Sequence, residues 1–230
     1  MSADARDPLE AEGVLNPATA WGSDGDLYLY PNKDVVFFPD VVPDPDGRPS
    51  YAVIHRPMWE FWSAHADGVA PLPVGTTDPR ASIWISYVPE EAAQADASAL
   101  ARPSGHRFVA GSKFEWESLK VGGGPPPIRV DEGWLLIHHG VSGTITDDPF
   151  VPQTEVFYSA GALVLDVADP SQVIARTPEP LLVPESPEEL VGVVGNVVFP
   201  TAIESIEGKH YVFYGIADAK IGVARLEAGA

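Results

Sequence analysis

An all-β fold is what this sequence predicts. Three observations predict it: short apolar runs rich in β-branched and aromatic residues, turn signals between those runs, and only one stretch of helical character. In chain order the runs place strands at 27–30, 35–38, 51–55, 82–87, 134–139, 156–159, 162–166, 195–199, 211–214 and 221–226. Turns fall between them at Gly22-Ser23-Asp24-Gly25, Asp44-Pro45-Asp46-Gly47, Asp131-Glu132-Gly133 and Glu207-Gly208, where Gly supplies positive φ and Asp bonds its own backbone. The helical stretch is 90–101, rich in Ala, with Pro89 near the first-turn position where a missing N–H is tolerated. Pro (24) and Gly (21) make up nearly a fifth of the 230 residues while 45% are hydrophobic. That combination reads as many tight turns around an ordinary core rather than low complexity.

A weak internal recurrence narrows the architecture. "DGDLYLYP", "DEGWLLIHHG" and "EGKHYVFYGIAD" each run from a turn through Gly or Asp into an aromatic-rich strand. Repeated turn-strand units suit the blades of a β-propeller, whose inner strands end around a central pocket, better than a sandwich.

Charge and composition exclude several classes of function. A formal net charge of -19 argues against a nucleic-acid or anionic-membrane surface, which is bound by clustered Lys and Arg. Cys is absent, so disulfides, thiolate metal sites and Cys nucleophiles are excluded. No apolar run approaches the roughly 20 residues that span a bilayer. The start, MSADARDPLEAEG, carries no basic-then-apolar leader, so a cytoplasmic protein is expected. The six His are scattered and no HExxH spacing occurs, so no metal site is expected. P-loop, dinucleotide-binding and nucleophile-elbow motifs are missing as well.

From about Asn32 onward, ordered strings carry a resemblance: "NKDVVFFPD…YAVIHRP", "LKVGGGPPPIRVDEGWLLIHHGV", "GALVLDVADPSQVIARTPEPLLVPESPEELVGVVGNVVFPTAI" and "YVFYGIADAKIGVARL". In content, order and spacing these are similar to glycoside hydrolase family 130, the β-mannoside phosphorylases, over roughly four-fifths of the chain. The resemblance implies a five-bladed β-propeller. The stretch "GVLNPATAWGSDGDLYLYP" resembles the family's first blade, yet Tyr30-Pro31 runs straight into Asn32-Lys33. Family members carry a long segment there, including a Glu-Asp-Pro-Arg motif whose Asp is the catalytic acid. The expectation is therefore an N-terminal extension over 1–15 and one partial propeller over 16–230, with a deletion junction at 31–32 and one to two blades missing. Open strand edges at such a gap would invite dimerisation.

The resemblance also implies chemistry: inverting phosphorolysis of a β-mannosidic bond to mannose 1-phosphate. Inorganic phosphate is the co-substrate, no other cofactor takes part, and a mannoside-type oligosaccharide is the partner. Inverting attack places the nucleophile and the acid on opposite faces of the sugar. Arg56, Lys120 and His139 match the family's phosphate-binding positions, and a planar fork, a point charge and an imidazole suit that anion. The alternatives are an ion pair between Arg56 and one of the 33 acids, and a solvated turn-edge role for Lys120. His138 and His139 face opposite ways in a strand, and the match selects His139. Asp218 matches a sugar-clamping carboxylate, or else caps the turn before Ile221. Asn16 matches a sugar contact, or else starts an Asn-Pro turn. Trp59 and Trp62 suit stacking in the acceptor subsite, whereas Trp134, Phe199 and Tyr214 read as packing. Gly122 to Pro127 reads as a rigid loop that brings backbone close to a ligand.

No catalytic acid is identifiable. Asp78-Pro79-Arg80 is the only Asp-Pro-Arg, but it follows the His55-Arg56-Pro57 motif where the family's precedes it, and it sits beside turn residues. An active phosphorylase therefore stands against a non-catalytic sugar- or phosphate-binding propeller, with a β-mannoside hydrolase as a further alternative. The retained cations favour phosphate over water as nucleophile.

Overall fold

The structure, a computed structural model, describes residues 32–57, 77–145 and 155–227. These residues fold into three antiparallel sheets. The first is ordered β1 (Asn32–Phe37), β3 (Pro49–Pro57), β4 (Ile83–Pro89), β5 (Ser104–Ala110), with β2 (Val42–Pro43) added on β3. The second is ordered β10 (Val173–Arg176), β9 (Val156–Leu165), β8 (Gly133–Gly143), β6 (Lys120–Gly123), with β7 (Ile128–Val130) added on β8. The third is β11 (Val198–Ile206), β12 (Lys209–Ile216), β13 (Lys220–Leu226). Among the described residues the sheets do not close into a ring. No helix among them is long and apolar enough to cross a membrane.

Period-two alternation sets how the sheets pack. On β8, Trp134 and Leu136 join Ile54, Ile83, Ile85, Leu163 and Leu165 in one buried cluster between the first two sheets. Ile137, on the opposite face, joins Ala160, Ala162, Ile203 and Val212 between the second and third. The central strands β8 and β9 are thus buried on both sides, which is why they read as continuous apolar runs. The seam between the first two sheets is tied by a backbone bond from Val121 N to Ala81 O at 3.1 Å.

The elements depart from the sequence expectation at definable places. Strands expected at 156–159 and 162–166 are one strand, because Ala160 and Gly161 stay in register with His139 and His138. The single helix expected at 90–101 is two pieces. α1 (Glu90–Ala95) stops at Asp96, whose side chain accepts from Ser98 N at 2.9 Å and caps a separate 3₁₀ turn, Ala97–Ala101. A short acidic side chain competes with the helix for backbone donors, so the helix breaks there. The loop reading of Gly122 to Pro127 is corrected for its first two glycines. Gly122 and Gly123 belong to β6, paired with His139 and His138. A second short helix, α2 (Pro187–Leu190), starts at a capping box between Ser186 and Glu189.

Candidate functional site

The site is built at the seam where β1 and β3 meet β6 and β8. Register slips between Lys33 and Val36 of β1, and Asp34 adopts φ 55. Asp is one of the few residues that tolerates this left-handed region. A bulge of this kind re-aims a side chain out of the regular pleat. Here the Asp34 carboxylate meets Arg56 of β3, whose Nε donates to Oδ2 at 2.5 Å. Only 6% of the Arg56 side chain and 8% of the Asp34 side chain reach solvent, so the pair is shielded from screening. The ion pair that the sequence left open as the alternative for Arg56 is present. Its fork is held through Nε, and Nη1 makes no hydrogen bond among the described residues.

His139 enters from β8, fully buried, with Nε2 3.6 Å from the same Asp34 oxygen. Its Nδ1 lies 3.1 Å from the carbonyl oxygen of Gly123. A carbonyl only accepts, so Nδ1 carries the proton and Nε2 presents a lone pair. Burial pushes the pKa of His139 down to about 4 against the upward pull of Asp34, with Arg56, His138 and Lys120 pushing further down. The imidazole is neutral at pH 7. Lys120 lies two residues before Gly122 on β6 and on the same face, and its charge acts on His139. Two aromatic rings flank the imidazole: Phe199 of β11 at 4.6 Å and Tyr158 of β9, stacked, at 6.0 Å between centroids.

The structure thus brings together Arg56, Lys120 and His139, and adds Asp34, Tyr158 and Phe199. Phe199 packs, as expected, but it packs on His139. Asp218 stands on the exposed turn after β12 with φ 52. Because Phe199 pairs with Gly215 and Val198 with Ile216, that turn is at the same end of the third sheet as Phe199. Among the described residues no hydrogen bond or ion pair joins Asp218 to the cluster. Asn16, Trp59 and Trp62 lie outside the described residues. Asp78 is tied to Arg80 by an ion pair of 2.6 Å. The Arg80 hydrogen bonds hold its carboxyl below the usual range, the opposite of what a proton donor needs at neutral pH. Among the described residues no group of three or more His, Asp or Glu could hold a metal ion.

A second ionic centre escaped the sequence reading. Glu117 is fully buried, and its Oε1 accepts from Arg176 Nη2 at 2.6 Å and His138 Nε2 at 3.0 Å. His138 and His139 therefore face opposite sides of the sheet toward different acids. Burial raises the Glu117 pKa, but the bonds from His138 and Arg176 outweigh it and hold it at about 2. Nothing local in "FEWESL" marks this acid, since Arg176 is 59 residues away in sequence.

The buried imidazoles make stability depend on pH with a definite sign. Burial lowers His55, His138 and His139 below 6.5 in the folded chain, so the unfolded chain binds more protons between that value and the folded one. Stability is then fully present above about pH 6.5 and falls as pH drops toward 4. His139 alone accounts for about 3 kcal/mol across that window. Urea midpoints measured from pH 7.5 to 4.5 should fall steadily; a flat profile would contradict neutral buried imidazoles.

With this geometry in hand, known proteins supply the context. The family described as beta-1,4-mannooligosaccharide phosphorylase matches residues 77–228. A 1,2-beta-oligomannan phosphorylase of Thermoanaerobacter sp. (strain X514) is 34% identical over 207 residues, covering 90% of this chain and 54% of that protein. A beta-1,2-mannobiose phosphorylase of the same organism is 45% identical over 112 residues, covering 49% of this chain and 33% of the relative. Among solved structures, the beta-1,2-mannobiose phosphorylase of Listeria innocua, in complex with beta-1,2-mannobiose, superposes with a TM-score of 0.62 at 28% identity, over 85% of this chain and 44% of that one. The chain thus spans between about a third and a half of the length of these relatives. Since the family match takes in well over half of its residues, this chain belongs to glycoside hydrolase family 130.

Proposed function

We propose that the protein is a phosphate- and mannoside-binding member of the β-mannoside phosphorylase type, built as a partial propeller whose three sheets are blades. One observation carries this reading: Arg56 and the Lys120–His139 pair arrive from two separate sheets at one buried point, in a chain with only 14 Lys and Arg and a formal net charge of -19. Asp34 fixes the Arg56 fork through Nε, leaving Nη1 for a further acceptor. The neutral His139 offers Nε2 as an acceptor, which suits the P–O–H of a partly protonated phosphate. A bound anion would accept charge-assisted hydrogen bonds from Arg56 and Lys120, and such bonds are the strong ones. The mannoside would lie beside the anion, toward the end of the third sheet that carries Phe199 and Asp218.

A non-catalytic reading is favoured by Asp78, which is locked to Arg80 with its pKa lowered and is unsuited to act as a general acid. Two measurements separate the readings. Titration calorimetry with inorganic phosphate reports the anion site, and release of phosphate from mannose 1-phosphate plus a mannose acceptor reports catalysis. The expected result is saturable phosphate binding, weakened at least tenfold by Arg56→Lys, which keeps the charge but loses the fork. Binding without release would identify a binding protein; no binding at all by a folded chain would sink the phosphate site.

A further inference from the structure

A second groove lies where the outermost strands of the first two sheets face each other. β5 ends the first sheet and β10 ends the second, and between them is a groove of about 530 Å³. That size falls in the range of small-molecule sites. None of its lining residues belongs to the Arg56 cluster. β5 stands three strand positions from β1, on the order of 14 Å across the sheet.

Three features equip the groove. The first is an aromatic platform. Phe108 of β5 is 46% exposed, yet its ring is fixed edge-to-face on Trp84 at 5.8 Å and lies against Gly111, where an added Cβ would come within 3.3 Å of the ring tip. Packing on the buried Trp84 holds the ring in place, while nearly half of the residue stays open beside the groove. The second is a flat polar pair beside it. Arg80 donates to both oxygens of Asp78 and, through Nη1, to the carbonyl of Ser118 at 3.1 Å. Both side chains remain about two-fifths exposed, so a preorganised edge of N–H donors and carboxylate lone pairs faces the groove. The third is the floor. Arg176 crosses from β10 to donate to Gly111 O at 3.0 Å, while its charge is matched by Glu117 at 2.6 Å.

From these features we infer that the groove binds a neutral oligosaccharide, as a second glycan site remote from the phosphate cluster. The guanidinium groups of Arg80 and Arg176 are already neutralised by Asp78 and Glu117, so a polyanion finds little free charge beyond Lys113. A pyranose suits what remains. Its apolar C–H face stacks on the Phe108 ring, and vicinal hydroxyls pair with the donors and acceptors of Arg80 and Asp78. Ile174 of β10, 53% exposed, adds a second apolar surface to the lining. The choice of a mannose polymer as ligand rests on the proposed function; the groove itself does not.

Affinity electrophoresis in gels containing a soluble 1,2-β-oligomannan, and titration with a β-1,4-mannooligosaccharide, test this. The wild-type chain should be retarded. Phe108→Ala and Arg80→Ala should each weaken binding at least fivefold, and Phe108→Trp should restore or exceed it. Phosphate titration of Phe108→Ala serves as the folding control and should match wild type. The inference is overturned if retardation is undiminished in both groove variants, or if Asp218→Ala alone abolishes it. Loss of phosphate binding with retained retardation would instead sink the proposed function and leave the groove standing.

Discussion

Glu117→Ala is expected to lower the unfolding free energy by about 3–5 kcal/mol, as removal of one partner from a buried ion pair does. The carboxylate has four bonds to lose. Oε1 serves Arg176 and His138, and Oε2 accepts from the backbone N–H groups of Lys113 and Phe114 at 3.0 and 3.2 Å. Alanine would leave a guanidinium with a side chain only 10% exposed and no counter-charge, together with two orphaned amides at the start of a 3₁₀ turn. With His138 neutral, its N–H donates to the Glu117 carboxylate without forming an ion pair, and Arg176 supplies the balancing charge. Glu117→Gln keeps the shape and some of the bonds, so it should cost less than alanine. It also removes a titration. The Glu117 carboxyl is held at about 2 when folded, so its contribution is present above the normal glutamate range near 4.5 and is lost as pH falls toward 2. The glutamine variant should lack that acid limb of the stability profile. Urea unfolding at pH 7 and at pH 3 reads both effects, and an alanine variant within about 1 kcal/mol of wild type would mean that Arg176 is not anchored by this acid.

The strongest features of the fold were legible because they are local. The run from Trp134 to His139 and the apolar stretch around Leu163 announce central strands, and alternation alone separates the two neighbouring imidazoles. β5, β6 and β10 were not legible. "SGHRFVA", "KVGG" and "VIAR" are edge strands or Gly-rich, and an edge strand has no obligation to alternate. The site divides in the same way. Arg56, Lys120 and His139 came from the likeness of long motifs, not from spacing. Asp34, which binds two of them together, was passed over as part of "NKD". One signal was available: an acid inside an apolar run needs a buried partner. Its identity depends on a bulge that the sequence does not announce and on a register 22 residues away. Glu117 is the extreme case, since its side-chain partners His138 and Arg176 come together only once β8, β9 and β10 have paired.

Gly122→Ala is expected to abolish whatever the Arg56 cluster does while leaving most of the fold in place. A Cβ built on Gly122 would stand 2.1 Å from Asp34 Oδ2 and 2.5 Å from His139 Cε1. Neither neighbour can yield freely. The Asp34 carboxylate is held by Arg56, and His139 is wedged among Gly123 O, Phe199 and Tyr158. Overpacking of this kind costs about 1–3 kcal/mol, as side chains leave their preferred rotamers. The strain here falls on the two groups that set the geometry of the cluster. Phosphate affinity should therefore drop at least a hundredfold, a larger loss than Arg56→Lys produces, while the urea midpoint shifts only modestly. Gly123→Ala provides the contrast on the same strand. Its Cβ meets the Cγ2 methyl of Ile54 at 3.0 Å and little else, on the face away from the Asp34 carboxylate. That methyl can give by a few tenths of an ångström, so Gly123→Ala should cost stability without a comparable loss of phosphate affinity. If the two alanines behaved alike in the titration, the close approach of Gly122 to Asp34 and His139 would not be what shapes the anion site.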